Sequence, residues 1–521
     1  MKDHSTWILA SWTAAGLIHV RLSVNMFLRP ARFWYSAKAP TSDRQIAAYL
    51  LSVFGTTTFL ALSVVALTRL VPQSALPAKA AVMGIALVLG ALGIANLFSY
   101  SIKQVVTWLH NRIGNRGLMA LGGAALCIPG WLLASHFGAV TSFFEQMLAM
   151  ASAVACVPVV GAAIVFFRRG RFIEFAEMMP AAPTPGPTSA PCRVVLMIFD
   201  EMDQRVAFDH RPQDLALPFL DTLFDESVVA TRALPPCRCT EISIPALLTG
   251  RLVDETVVSG PTSVNVFFTG KADPEPLRDQ VTLLHKLRDR GFNSAVTTWY
   301  HPFGRLHGDS VVAFVWEEAP TQENAASGSL WRMVAGFLRS LLETPRMSPF
   351  GQSAVVQRAT ESYQNTQKAA RQFAANGKLD FVFLHWPIPH APYIYDRAST
   401  KLGVSKVSSA GYLDNLALTD QAFAEVRADM TRAGVWDKSV VILTSDHWWR
   451  HSVGFDGGKD LRVPFAVHFP GQKHRVNYSR QFNTVVTHDL ITALLEGVVT
   501  CADDLVLWLD RNGIDHMPTK V

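Results

Sequence analysis

The sequence predicts two architectures in one chain: an N-terminal α-helical membrane bundle over residues 1–173, then an α/β domain with a mostly parallel central sheet. Three observations predict this. Hydrophobic residues make up 49% of the 521 positions and charged residues only 17%, against about 25% charged in a typical soluble domain. The positive charge is concentrated at the start: residues 1–173 hold 14 Lys/Arg against 3 Asp/Glu, and the rest holds 33 basic against 39 acidic residues. Beyond residue 193, short β-branched runs alternate with helical patterns, as in parallel sheets with crossover helices. The net charge of +5 is therefore no sign of a polyanionic partner. The globular part is mildly acidic without a dense basic run, so nucleic acid is not expected as a partner. Six cysteines in this length exclude a disulfide-scaffolded miniprotein.

A bilayer-spanning helix needs about 20 mostly apolar residues. Four windows qualify, at 46–68, 79–99, 117–136 and 147–167, none with a charge in its core. The window 6–28 is a weaker fifth, because His19, Arg21 and Asn25 interrupt it; an interfacial helix is its alternative reading. Basic clusters lie in 29–45, in 100–116 and at Arg168, Arg169 and Arg171. The positive-inside rule places these in the cytoplasm. Read literally, it leaves the following domain on the cytoplasmic side as well.

Residues 174–192 form a Pro-rich linker. Five prolines fall within 178–191, and such a stretch cannot continue a helix. The domain at 193–521 opens with Arg193-Val-Val-Leu-Met-Ile-Phe199, the pattern of a strand buried on both faces. Residues 379–384 and 439–444 are the clearest later strands. Helices are expected at 281–290, 355–376 and 414–434. In open α/β sheets, ligands bind beyond the carboxyl ends of the strands, so the residues at those ends carry the functional argument.

The first strand ends in Asp200-Glu201-Met202-Asp203, the second runs into His385-Trp-Pro-Ile-Pro-His390, and the third into Ser445-Asp446-His447. Carboxylate oxygen with neutral imidazole suits a divalent metal. Each group alone has a plainer reading, an Asp after a strand often being a helix cap. A fourth element, Cys237-Arg-Cys-Thr240, precedes an apolar helical segment ending in Leu248-Thr-Gly250. Thr240 there faces unpaired backbone N–H groups and the positive end of the helix dipole, which favours a bound anion or an alkoxide. Simple helix capping is the alternative.

Asp200 after the first strand, Thr240 before Leu-Leu-Thr-Gly, the Pro-His390-Ala-Pro segment, Ser-Asp-His and Arg462-Val-Pro, in this order over about 193–500, resemble the alkaline phosphatase superfamily. More narrowly, they are similar to its sulfatase-like branch, which includes lipoteichoic acid synthases and phosphoethanolamine transferases. The resemblance implies that Asp200, Thr240, Asp446 and His447 hold one divalent cation (Mn, Zn, Mg or Ca), with Thr240 also the nucleophile. It implies that His390 binds the transferred group or protonates the leaving oxygen. His301, His385, Arg305 and Lys459 are candidate substrate-binding residues, and Glu201 is either an extra ligand or a capping residue. A second metal on His385, His390 and His451 is a weaker alternative.

Formylglycine sulfatases carry Cys or Ser at the nucleophile position, followed by Pro two residues on and Arg four on. Here Thr240 is followed by Ile242 and Ile244. Thr cannot become formylglycine, so the departure points to phosphoryl chemistry. The expected function is a membrane-anchored transferase moving a phospho-alcohol group, of phosphoethanolamine or phosphoglycerol type, from a phospholipid donor to a glycan or lipid acceptor. The alternatives are a hydrolase of the same fold and a non-catalytic membrane protein with a degenerate domain. The resemblance implies a multi-pass protein of the cytoplasmic membrane with its domain outside the cytoplasm, against the loop charges. Cys192, Cys237, Cys239 and Cys501 do not settle the compartment, since a Cys-x-Cys pair rarely bridges itself.

Overall fold

Eight strands form one sheet whose centre collects the chemistry-bearing segments. The computed structural model describes residues 184–521, apart from 188–189, 261–262, 301–302, 317–330, 332–333, 336–348, 407–408 and 520–521, together with 50–56 and 58. The chain divides into two compact units, one of 1–29, 41–172 and 322–352, the other of 30–40, 173–321 and 353–521. The second unit holds the sheet. The expected membrane windows lie outside the described residues, except for part of 46–68. No described helix is long and apolar enough to cross a membrane.

In chain order the strands are β1 (Arg193–Asp200), β2 (Val228–Ala230), β3 (Ser294–Thr298), β4 (Ala313–Trp316), β5 (Phe381–Pro389), β6 (Ser439–Thr444), β7 (Phe465–His468) and β8 (Val476–Tyr478). Their spatial order is β8-β2-β7-β6-β1-β5-β3-β4. β1 lies parallel to both β6 and β5, β3 is parallel to β5 and β4, and β8 is parallel to β2. β7 runs antiparallel to both neighbours. The connection from β6 to β7, residues 445–464, holds one short helical turn, Val453–Asp456, and no longer helix among its residues.

β1 is buried along its whole length, because helices cover both faces of the sheet. Val194, Leu196 and Ile198 face one core, and Val195, Met197 and Phe199 face the other, following the alternation of a strand. The first core is closed by α2 (Thr240–Thr249), α3 (Leu283–Asp289), α6 (Thr487–Leu495) and α7 (Ala502–Asn512). The second is closed by α1 (Pro218–Asp225), α4 (Pro349–Ala375) and α5 (Ser409–Arg432). This three-layer arrangement is the α/β domain that the alternating pattern predicts. The linker meets it at Gly186, whose N–H and C=O both bond the Asn293 side chain at 2.9 Å.

α2 ends at Gly250, which has φ +68°; a Cβ there would lie 2.8 Å from the His488 ring. Only glycine adopts this left-handed C-cap without strain, and the N–H of Gly250 closes the helix on Ala246.

Candidate metal centre and nucleophile

β1 ends at Asp200 and β6 just before Asp446–His447, while β5 runs on to Pro389 and brings His385 alongside from mid-strand, opposite Ile198. Asp200, Asp446, His385 and His447 are all fully buried. Ligand atoms of Asp200, Asp446 and His447 lie within 4.8 Å of one another. His447 Nε2 stands 3.4 Å from Asp200 Oδ1 and 3.6 Å from Asp446 Oδ2. The His447 Nδ1–H donates to the Trp448 carbonyl at 2.9 Å, which leaves the Nε2 lone pair aimed at the cluster, the usual second contact of a metal-binding imidazole.

Two carboxylates without exposure are costly unless a cation or donors compensate them. Burial pushes the Asp446 carboxyl up, and the neighbouring charge of Asp200 pushes it further. Burial also raises Asp200, but His390, His385 and His447 together hold it well below the usual carboxylate range. Burial lowers His447, and Asp446 and Asp200 more than reverse this, leaving it raised. Among the described residues Asp200 Oδ1 and Asp446 Oδ2 have no hydrogen-bond partner. Orphaned acceptor atoms converging on one point fit a divalent cation, and mixed O/N donors admit several such ions.

Thr240 begins α2, with Cys239 as an extended N-cap. The cap is held from inside the helix: Ser243 Oγ accepts from the Cys237 N–H at 3.1 Å. Thr240 is 5% exposed, and its hydroxyl donates to Asp200 Oδ2 at 3.1 Å and lies 3.3 Å from His447 Nε2. The structure therefore brings Asp200, Thr240, Asp446 and His447 into one cluster. The hydroxyl sits at the positive end of a helix beside a carboxylate and an imidazole, an arrangement suited to activating a nucleophile. Among the described residues Cys192, Cys237, Cys239 and Cys501 are free thiols, with Cys237 and Cys239 sulfurs 3.5 Å apart.

The other expected residues fall differently. His390 is half-buried above the cluster, hung from the backbone by its N–H bond to the Asp200 carbonyl at 3.1 Å; its ring lies 6.4 Å from the His447 ring. His385 does not face an open pocket, as a substrate-binding residue would. It is fully buried, bonded through Nδ1 to Thr298 Oγ1 at 3.2 Å, with Nε2 3.6 Å from Asp200 Oδ2. It backs the Asp200 carboxylate instead. Glu201 caps no helix and lies outside the ligand cluster. Its Oε1 accepts from the Arg450 Nε at 3.0 Å and the Arg450 N–H at 3.3 Å. Lys459 is exposed and takes no part in these bonds among the described residues, and His451 is likewise exposed. Arg305 falls in the helix Phe303–His307, and His301 lies outside the described residues.

Three contributors escaped the sequence reading. Arg450 lies four residues beyond Asp446. Tyr412 donates its O–H to the Glu201 carbonyl at 2.9 Å and accepts from the Asp203 N–H at 3.1 Å, while stacking on Trp449 at 3.9 Å. Trp299, 5.7 Å from His390 between ring centres, has a buried indole N–H without a partner among the described residues. The tripeptide Trp448-Trp449-Arg450 directly after Ser-Asp-His was the available signal for the first.

Residues 193–497 match the protein-family model described as Sulfatase. No curated protein matches the chain. Among solved structures, Ps i-CgsB is similar at 13% identity over 63% of this chain and 78% of that one, with a TM-score of 0.43. The lipoteichoic acid synthase LtaP from Listeria monocytogenes is similar at 11% identity over 63% and 76%, with a TM-score of 0.37. The phosphonate monoester hydrolase of Agrobacterium radiobacter is similar at 14% identity over 59% and 77%, with a TM-score of 0.36.

Proposed function

The chain belongs to the sulfatase family of enzymes, within the alkaline phosphatase superfamily, and from that premise we propose that it is a metal-dependent transferase of phospho-alcohol groups. The donor is a phospholipid, with a head group of phosphoethanolamine or phosphoglycerol type, and the acceptor is a cell-envelope glycan or lipid. The observation that carries this reading is Thr240: a hydroxyl, not a formylglycine precursor, stands at the N-terminus of α2 against Asp200 and His447.

Asp200, Asp446, His447 and the Thr240 hydroxyl would hold one divalent cation, which when bound supplies Lewis-acid charge that lowers the hydroxyl pKa and neutralises the anionic group. Thr240 Oγ attacks phosphorus as its proton leaves toward the Asp200 carboxylate. The bond from phosphorus to the lipid oxygen breaks, and that oxygen takes up the proton that Thr240 gave to Asp200. A phospho-threonine ester remains. The acceptor hydroxyl then attacks the same phosphorus, the bond from phosphorus to Thr240 Oγ breaks, and the acceptor's proton passes through Asp200 back to Oγ. His390, at the rim of the cluster, lies where the entering anionic group is received.

The membrane assignment is part of this proposal: residues 1–173 anchor the enzyme in the cytoplasmic membrane and the domain works outside the cytoplasm. The test is reporter fusion on either side of residue 180; activity of a cytoplasm-restricted reporter fused there would refute it. The chemical test is mass spectrometry of the enzyme quenched during turnover, which is expected to find phosphate or its alcohol ester on Thr240. Thr240→Ala is expected to abolish turnover while keeping the melting temperature of chelator-treated wild type once its own metal is removed, and retained turnover refutes the nucleophile. A second reading, hydrolysis of a phosphodiester or sulfate ester, is favoured by the family description itself. Discharge of the trapped intermediate by water alone, with no gain from added glycan or lipid, selects that reading.

A further inference from the structure

Arg450 stands between two groups of the centre that the sequence left without assigned partners. Its Nε and backbone N–H both close on Glu201 Oε1, at 3.0 and 3.3 Å. Its Nη2 reaches His390 Nε2 at 2.9 Å. His390 Nδ1 contacts the Ala391 carbonyl, which only an N–H can do, so Nε2 is the acceptor and Arg450 the donor. Arg450 thus touches the rim of the cluster with one end of its guanidinium, while the other end is fixed from below by a carboxylate that is 2% exposed. The Arg450 side chain itself is 37% exposed. Among the described residues nothing takes its Nη1, so one edge of this partly exposed fork is left without a hydrogen bond.

Glu201 is shaped for this partner. It has φ +66°, a left-handed conformation that is strained for a non-glycine residue. Tyr412 holds the turn at the carbonyl. The turn separates two consecutive carboxylates: Asp200 enters the ligand cluster, and Glu201 leaves it to meet Arg450. A guanidinium held at Nε by a buried carboxylate has lost most of its rotamer freedom, which is how an arginine is preorganised for a planar, two-pronged contact with an oxyanion.

We propose that Arg450 is the oxyanion-binding residue of this centre and Glu201 its positioning residue, not a cation ligand. The ligand class is a tetrahedral oxyanion, the phosphoryl or sulfuryl group of the substrate, whose outer oxygens Arg450 receives while His390 Nε2 accepts from the guanidinium and steadies it and the central atom faces Thr240. This rests on the reading of Thr240 and the cation cluster as the reaction centre. It adds the contact that selects an anionic group.

The test uses full-length enzyme supplied with manganese. Inorganic phosphate and inorganic sulfate are titrated calorimetrically into wild type, Arg450→Gln, Glu201→Gln and the double variant, with bound metal assayed in each. Arg450→Gln is expected to weaken anion binding at least tenfold with metal content unchanged, and Arg450→Lys to recover part of it. Glu201→Gln is expected to weaken anion binding severalfold with metal content unchanged. That weakening should disappear in the Arg450→Gln background, because Glu201 acts through Arg450. Unchanged anion affinity in Arg450→Gln overturns the proposal, as does loss of metal in Glu201→Gln. Wild type that takes sulfate and not phosphate, with Arg450→Gln still impaired, upholds the Arg450 assignment and counts against phosphoryl transfer.

Discussion

Asp446 shows how a functional residue works against the fold that carries it. Its carboxyl is pushed up by burial and by the charge of Asp200. A carboxyl raised in the folded state takes protons more readily there than in the unfolded chain, so metal-free stability falls as pH rises through its titration. Asp446→Asn removes that charge. In chelator-treated protein it is expected to raise the melting temperature by a few degrees, since ~1 kcal/mol moves a domain of this size by ~2–4 °C. With metal present the order reverses, because the variant loses the cation. Calorimetry with and without chelator checks both signs, and a variant less stable under both conditions contradicts the account. Asp200, Thr240, Asp446 and His447 were legible in the sequence because each adjoins a strand end or a helix start. The depth of His385 had a signal too: it is the one polar residue within the run Phe381–Ile388. The Glu201–Arg450 pair had none, because the partners are 249 residues apart and meet through a left-handed turn that no residue type announces.

At the scale of elements, Asp420 on α5 caps a different helix. Its Oδ1 accepts from the Phe219 and Leu220 N–H groups of α1, at 3.0 and 2.8 Å. Burial nonetheless pushes its carboxyl up to about 6, against those two bonds. The stability it contributes as a protonated group is present below about pH 4 and is lost as pH rises to about 6. Asp420→Asn keeps the acceptor oxygen and is expected to flatten that part of the pH profile of the urea midpoint. Asp420→Ala loses the cap as well and is expected to cost about 1 kcal/mol at pH 7. A pH profile unchanged in the Asn variant rules out this origin. The end of α2 gives a separate expectation. Gly250→Ala forces a left-handed alanine against the His488 ring, so a loss of at least about 1 kcal/mol is expected in denaturant unfolding. Helix placement was legible from apolar periodicity and from Leu-Leu-Thr-Gly. The reversed strand β7 was not, because a four-residue buried run looks the same in either direction.

Over the whole domain, cation and fold are linked. A ligand that binds only the folded state adds about 4 kcal/mol at a thousandfold excess over its dissociation constant, so chelation is expected to lower the melting temperature of wild type and to leave Thr240→Ala with a smaller response. Equal melting temperatures with and without chelator would sink the cation assignment. The layered α/β plan was visible in composition and alternation, whereas the order of strands was not, because nothing local says that 193–200, 381–389 and 439–444 lie side by side. That adjacency also governs when the enzyme comes into being. Glu201 and Asp446 meet across 245 residues, and Thr240 and His447 across 207. At about 5–20 residues per second of synthesis, on the order of 10–50 s separate the emergence of the first carboxylate from that of the last. From the emergence of Thr240 until that of His447, the nascent chain carries its nucleophile without the full set of partners that activate it, and reactivity begins only when the middle of the sheet closes.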